Sequence, residues 1–134
     1  MKGKPAQPRL LADENTSHRF VFACGRVADA FPIVHIATWQ DESWLGLDDS
    51  ALLPACADAG LVLVGFDRAT LPWHAGQVIR GGGDHGGLIL FRRTVPSTDY
   101  GRQARLLTGF WRGEADAWDW INRIVYLPKS PVTP

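Results

Sequence analysis

The stretch Leu10-Leu11-Ala12-Asp13-Glu14-Asn15 decides how this chain folds. A short apolar run, typical of a buried strand, ends directly in two acids and an amide. In α/β proteins, ligands bind at the carboxyl ends of parallel strands, so an acid pair there is well placed to hold a metal ion. The same residue types also begin helices, and Asp13 alternatively caps the helix that follows. The rest of the chain has to distinguish these two interpretations.

Strand-like and helix-like segments alternate along the remainder of the chain. The residue patterns predict strands at 9–12, 31–38, 61–64, 88–91 and 122–127, with helices at 18–27, 48–59, 70–79 and 99–112. This alternation predicts a parallel sheet with right-handed crossovers, and unbroken apolar strands indicate that both its faces are covered. The glycine-rich run 81–86 formally fits a dinucleotide-binding pattern, but it precedes a strand, so we reject that function.

Length and composition predict one globular domain. The chain has 134 residues, of which 46% are hydrophobic and 21% charged, with a formal net charge of zero. It has neither the ~20-residue apolar run of a membrane helix nor a secretory signal, so we expect a cytoplasmic protein without membrane contact. Cys24 and Cys56 lie in apolar segments, which predicts reduced core thiols. We expect the domain at 9–128, a flexible N-terminal tail at 1–8 and a C-terminal tail at 129–134.

Acidic residues are placed to meet at one edge of the predicted sheet. Asp13 and Glu14 follow the first strand, and Asp67 follows the third. Asp49 opens the helix that leads into the third strand. Converging carboxylates raise one another's pKa unless a cation joins them, and oxygen ligands favour Mg²⁺ or Mn²⁺, which activate water and clamp phosphates. Each acid also has a structural interpretation, because Asp49 suits an N-cap and Asp67 suits the start of a turn.

Four motifs in sequence resemble a bacterial PIN-like domain. They read Leu-Ala-Asp-Glu-Asn, then Asp-x-x-Leu on a helix, then Gly-Leu-Val-Leu-Val-Gly-Phe-Asp, then Gly-Gly-Leu-Ile-Leu-Phe-Arg. More narrowly, the chain is similar to an uncharacterised branch of the family with a Leu-x-Asp-Glu-Asn start. The resemblance covers residues 10–127. It implies a three-layer α/β/α sandwich with a central, mostly parallel sheet of four to five strands.

The resemblance also implies an activity and a set of site residues. It points to a metal-dependent ribonuclease related to VapC-type toxins, with Mg²⁺ or Mn²⁺ as cofactor, RNA as substrate and an antitoxin protein as partner. By motif position, Asp13, Asp49 and Asp67 match the catalytic metal acids. Glu14 matches an acid paired with the first of them, and Asn15 matches a polar residue of the first motif.

Arginines and tryptophans supply further candidates for substrate and partner contacts. Arg68, Arg92 and Arg93 follow the same strand ends as the acids, so we predict that they bind substrate phosphates together with Asn15. The six tryptophans exceed what a core of this size needs. A base-stacking or partner surface is one use for them, and a core or homodimer contact is the use that we favour.

Two other functions stay open at this point. A receiver-like phosphoacceptor domain also has an acid pair after strand one and a lone acid after strand three, and Thr94 and Lys129 stand where its switch residues are expected. Asp49 has no role in that interpretation. A catalytically inactive PIN-like binding module is favoured by Ala69, because family members often carry an acid there. Gly65 likewise stands where they often carry threonine.

Overall fold

The computed structural model describes residues 8–129 and shows one sandwich of helices around a five-stranded sheet. The strands are β1 (Leu10–Ala12), β2 (Ile33–His35), β3 (Val62–Gly65), β4 (Leu88–Phe91) and β5 (Ile124–Leu127). The helices are α1 (His18–Val27), α2 (Asp49–Ala59), α3 (Thr70–Arg80) and α4 (Tyr100–Gly113), with 3₁₀ segments at Ile36–Glu42 and Ala115–Ala117. The predicted α/β/α sandwich is therefore confirmed. Apart from Pro8 and Lys129, the predicted tails lie outside the described residues.

The sheet runs in the order β2-β1-β3-β4-β5, and every neighbouring pair is parallel. The direction of the chain across the sheet reverses between β1 and β3. The carboxyl ends of these two strands therefore border the crevice in which doubly wound sheets bind ligands. Because Ala12 pairs with Val64, Asp13 emerges beside Gly65, and the predicted proximity of the first and third strands is confirmed.

Two apolar cores separate the sheet from its two helix layers. Leu10 and Ala12 face the layer of α1 and α4, whereas Leu11 between them faces the layer of α2 and α3. Both faces of β1, β3 and β4 are covered, so these strands are buried at every position. This two-sided burial is the reason why their sequences show unbroken apolar runs instead of alternation.

The crossover through α4 has the opposite hand to the other three. α3 and α4 each connect a strand to its neighbour in the same direction across the sheet, yet they pack on opposite faces. About 98% of parallel crossovers are right-handed, and that expectation is wrong for β4–α4–β5. No helix follows β5 within the described residues. With the usual hand, α4 would join α2 and α3, and α1 alone would cover the other face.

Two predicted strands are too long because side chains redirect the chain near their ends. β2 stops at His35, whose Nδ1 accepts a hydrogen bond from Ala37 N–H while Thr38 Oγ1 donates to its carbonyl oxygen. These bonds wind the following residues into a 3₁₀ turn. Before β5, Asn122 has φ +61°, and its Oδ1 accepts a hydrogen bond from His85 N–H. The positive φ keeps Asn122 out of the strand.

The two cysteines are unpaired and buried, which confirms the prediction of core thiols. Cys24 belongs to the core under α1 and α4, and Cys56 to the core under α2 and α3. Burial raises the pKa of each thiol to about 12. Among residues 8–129, the helices are all too short or too polar to span a membrane.

Candidate functional site

A cavity of about 350 Å³ opens at the carboxyl edge of the sheet, where β1 and β3 lie side by side. Its walls are the ends of these strands, the first turns of α2 and α3, and the segment that precedes α2. Most of its polar groups are carboxylates, and only one lining side chain is able to carry a positive charge. The lining residues are Asp13, Glu14, Asn15, Gly46, Leu47, Asp48, Asp49, Leu52, Asp67, Leu71 and His74.

Asp13 is held rigidly because its backbone continues the sheet. Its N–H donates to the Val64 carbonyl oxygen at 2.9 Å, and its own carbonyl accepts from the N–H and the hydroxyl of Thr16 at 2.9 and 2.6 Å. The residue as a whole is only 7% exposed. Its Oδ1 accepts a hydrogen bond from Glu14 N–H at 2.7 Å, and no described residue donates to Oδ2.

Burial raises the pKa of Asp13 to about 6. The hydrogen bond from Glu14 N–H opposes this rise, whereas the charges of Asp49, Glu14 and Asp67 add to it. Gly65 leaves room for this carboxylate, since a Cβ there would lie 3.3 Å from Asp13 Cβ and 3.4 Å from Oδ2. A glycine at this position is therefore matched to the position of Asp13.

Asp49 reaches the cavity from the first turn of α2. Asp48 occupies the N-cap position, so the N-cap role considered for Asp49 is wrong. Asp49 Oδ2 lies 3.8 Å from His74 Nε2 on α3, which makes this a long ion pair when the imidazole is protonated. Burial raises the pKa of Asp49, His74 opposes the rise, and the charges of Asp67, Glu14 and Asp48 add to it.

Asp67 lines the cavity and also stabilises the start of α3. Its carboxylate accepts hydrogen bonds from the N–H groups of Ala69 and Thr70 at 3.1 and 2.8 Å, and from the Thr70 hydroxyl. Burial raises the pKa of Asp67, but these hydrogen bonds and the charge of His74 outweigh that effect, so the pKa is lowered. The structural interpretation of Asp67 as a turn residue is therefore correct, and the side chain stays beside the other acids.

Glu14 and Asn15 lie on the exposed rim of the cavity. Glu14 Oε1 accepts a hydrogen bond from Gly46 N–H at 3.2 Å, which ties the end of β1 to the segment before α2. That segment is conformationally unusual, because three successive residues, Gln40, Asp41 and Glu42, have φ between +52° and +71°. These three residues do not line the cavity, but they lie in the connection that leads to its wall, and their positive φ values are energetically costly.

None of the three predicted phosphate-binding arginines lines the cavity. Arg68 Nη1 donates to the carbonyl oxygens of Phe66 and Phe91, so it bridges the ends of β3 and β4. Arg92 Nε donates to the Pro128 carbonyl oxygen, and its guanidinium lies over the Tyr126 ring. Arg93 is exposed next to it. Their contribution to substrate binding stays a prediction.

The carboxylates of the cavity suit a divalent cation that keeps some of its waters better than one that is ligated by protein atoms alone. Within residues 8–129, no three His, Cys, Asp or Glu side chains are grouped closely enough to ligate one ion. Mg²⁺ usually keeps several of its waters and binds proteins through one or two carboxylates. A cavity of about 350 Å³ has room for such an ion, since one water occupies about 30 Å³. Asp13 and Asp49 supply the oxygen ligands that this ion prefers.

His74, for which the sequence favours a helix-surface role over catalysis, lines the cavity, and so does the segment 46–48. His74 follows Trp73 on a helix, which is typical of a surface position. The usable signal was its place near the start of the helix that follows Asp67, because that helix begins at the same edge of the sheet. Gly46–Asp48 carries no motif, and only the tertiary fold places it beside Glu14.

Comparison with known protein families, with characterised proteins and with solved structures reveals no significant match to this chain. The PIN-like resemblance therefore rests on the motifs alone.

Proposed function

We propose that this protein hydrolyses RNA phosphodiesters with a divalent metal ion bound in the carboxylate cavity. The observation that carries the proposal is the state of Asp13. This carboxyl is buried at the reversal point of a parallel sheet, shares its cavity with four other acids and has a pKa raised to about 6. Such an arrangement opposes folding, and strongly perturbed pKa values are concentrated at functional sites.

We assign Asp13 and Asp49 to hold Mg²⁺ or Mn²⁺. Glu14 and Asp67 line the same cavity and add negative charge, but no three acids within residues 8–129 are grouped closely enough to ligate one ion, so we do not include them as direct ligands. A metal ion bound there supplies an activated water and compensates charge on the phosphate. The backbone bonds of Asp13 to Val64 and Thr16 keep its carboxylate in place without reorganisation. Asp67 remains ionised through its bonds to the start of α3, and it adds negative potential that favours a cation.

The choice of RNA comes from the motif resemblance alone. The antitoxin partner comes from the same source, and the homodimer comes from the number of tryptophans. These three stay predictions. One tryptophan is available for such a contact, because Trp73 is 59% exposed on α3 directly before His74. Trp111 and Trp120 are buried in the core and serve packing instead.

The receiver-like alternative finds less support in the contacts of its expected switch residues. Lys129 Nζ lies 2.9 Å from both carboxylate oxygens of Glu114, and it also lies over the rings of Phe110 and Trp118. In this position it is engaged away from the cavity. Asp67, the expected phosphoacceptor, is already occupied as an acceptor for Thr70. The strand order is compatible with a receiver and does not separate the two functions.

The test compares single acid-to-amide variants inside and outside the cavity. Purified wild-type protein, Asp13→Asn, Asp49→Asn and Asp58→Asn are incubated with a labelled unstructured RNA in Mn²⁺, in Mg²⁺ and in EDTA. Asp58 is exposed on α2 outside the cavity, so Asp58→Asn is the matched control. We expect Asp13→Asn and Asp49→Asn to lose activity by at least about 100-fold, because a catalytic metal supplies several kcal/mol.

Equal cleavage by wild-type protein and Asp13→Asn would reject the proposed site. Absence of cleavage by the wild type would reject the activity, and calorimetry then separates the remaining functions. Mn²⁺ binding that Asp13→Asn abolishes would indicate the inactive PIN-like module. A covalent mass increase at Asp67 after incubation with a small phosphodonor would indicate the receiver.

A further inference from the structure

α1 and α4 form the most basic surface among the described elements. The two helices pack side by side and together contain five arginines and no acid, namely Arg19, Arg26, Arg102, Arg105 and Arg112. α2 and α3 on the opposite face contain Asp49, Asp58 and a single arginine, Arg80. The zero net charge of the chain therefore conceals a strong separation of charge between the two helix layers.

The arginines of this face are not neutralised by carboxylates. Within residues 8–129, the ion pairs join only His74 to Asp49 and Lys129 to Glu114. Arg112 and Arg102 donate to backbone carbonyl oxygens instead of to carboxylates. An exposed guanidinium fork without a carboxylate partner is suited to bidentate contacts with phosphate oxygens.

Arg112 on α4 lies next to the end of α1, whereas Arg102 reaches back to the Thr94 carbonyl oxygen before α4. Helical periodicity places Arg105 and Arg112 on one side, and Arg112 Nη2 reaches the Asp29 carbonyl oxygen just beyond the end of α1 at 2.6 Å. Phe22 on α1 is 67% exposed, and the Arg26 guanidinium lies 5.9 Å from its ring centroid. A basic track with an exposed aromatic ring is the combination that binds single strands by phosphate contacts and base stacking.

We infer that the α1–α4 face binds the phosphate backbone of single-stranded nucleic acid. This inference goes beyond the proposed function, because the binding requires neither the carboxylate cavity nor a metal. The positive charge of this face complements a phosphate backbone. Phe22 offers a stacking surface for bases, which an acidic protein segment does not need. The reversed crossover of α4 produces the face, since it places the arginines of α4 next to those of α1.

The test measures binding without turnover. Fluorescence anisotropy follows a labelled oligothymidylate in EDTA, with wild-type protein, with the pair Arg19→Gln and Arg105→Gln, and with the control pair Arg80→Gln and Arg123→Gln. Both double variants lose the same charge, but Arg80 and Arg123 lie outside α1 and α4. Glutamine is a good helix former, so the substitutions preserve helix propensity.

We expect the α1–α4 pair to bind about 25-fold more weakly at about 0.1 M salt, and its salt dependence to become shallower by about 1.4 in log–log slope. The control pair should retain wild-type affinity. An equal loss in both double variants would overturn the inference, as would absence of oligothymidylate binding by the wild type at low salt. Displacement of the oligonucleotide by polyglutamate at matched charge concentration would favour an acidic protein partner and also overturn it.

Discussion

The carboxyl group of Asp13 is favourable for ion binding and unfavourable for folding. Its backbone is locked by Val64 and Thr16, while its side chain is desolvated among other acids. One hydrogen bond from Glu14 N–H compensates only part of this cost. The folded protein becomes more stable when Asp13 loses its charge or when a cation binds beside it, and experiments can separate these two effects.

We expect Asp13→Asn to be more stable than wild-type protein at pH 7. The carboxyl has a pKa of about 6 when folded and 3.8 as its ordinary value, so between these values the folded state binds more protons than the unfolded state. The free energy of unfolding therefore falls as the pH rises through this window, by at most about 3 kcal/mol. The amide removes this loss, and urea denaturation at pH 4 to 7 measures it.

Asp58→Asn is the matched control, because Asp58 is exposed and far from the cavity lining. Its stability should follow that of the wild-type protein across the pH range. If Asp13→Asn is less stable than wild-type protein at pH 7, the carboxylate makes net favourable contacts in the fold and our account of its pKa is wrong.

The glycine-rich run 81–87 includes the residues that formally fit a dinucleotide-binding pattern, but its last two glycines serve the packing of β4 against neighbouring elements. A Cβ on Gly86 would overlap the Leu61 carbonyl oxygen and lie 3.0 Å from the Cys56 carbonyl carbon. A Cβ on Gly87 would lie 2.8 Å from the Trp120 carbonyl oxygen. These glycines allow the chain entering β4 to pass close to α2, β3 and the segment before β5. Their role is close backbone packing at the amino edge of the sheet.

Gly86→Ala should therefore lower the free energy of unfolding by at least about 2 kcal/mol, because the new methyl group meets backbone that is unable to yield. Gly81→Ala is the control in the same run, since its Cβ would find its nearest neighbour at 3.5 Å and its φ is −78°. Thermal and urea denaturation of both variants give the comparison. Similar stabilities for the two variants would contradict the proposed close packing.

At the scale of the whole molecule, the opposite hand of the α4 crossover divides four helices equally between the two faces of the sheet. Each layer then has its own core and its own charge, with arginines over α1 and α4 and more acids than arginines over α2 and α3. Each core also contains one buried thiol. The reaction of each cysteine with a thiol reagent therefore reports when its own layer opens.

We expect Cys24 and Cys56 to react with a thiol reagent at the same rate under native conditions. Burial raises the pKa of both thiols to about 12, so reaction requires opening of the surrounding core. The shared sheet makes cooperative opening of both layers the expected event. Labelling of Cys24→Ala and Cys56→Ala, each with one thiol left, measures the two rates separately. A clear difference would show that one layer opens independently of the other.

Local sequence patterns were sufficient to predict strands that are buried on both faces and helices that have distinct polar and apolar faces. The runs of β1, β3 and β4 and the amphipathic pattern of α4 predicted their elements, since Ala104, Leu107 and Trp111 are buried while Arg105 and Arg112 are exposed. The acids of the cavity were also predicted to share one edge, because strand ends in a parallel sheet occupy equivalent positions. Side-chain hydrogen bonds by His35 and Asn122 shortened β2 and β5 beyond what strand propensity predicts.

The sequence by itself determined the α/β alternation, the parallel sheet and the carboxylates at its edge, because these follow from short-range periodicity and strand order. Only the tertiary structure decided the hand of the α4 crossover, the ion pair of His74 with Asp49 and the separation of charge between the helix layers. Each of these depends on which face a helix covers. That choice depends on which helices and strands pack together across the whole domain, which no local window of sequence contains. The carboxylates around Asp13 were therefore predictable as a set, whereas their histidine partner was not.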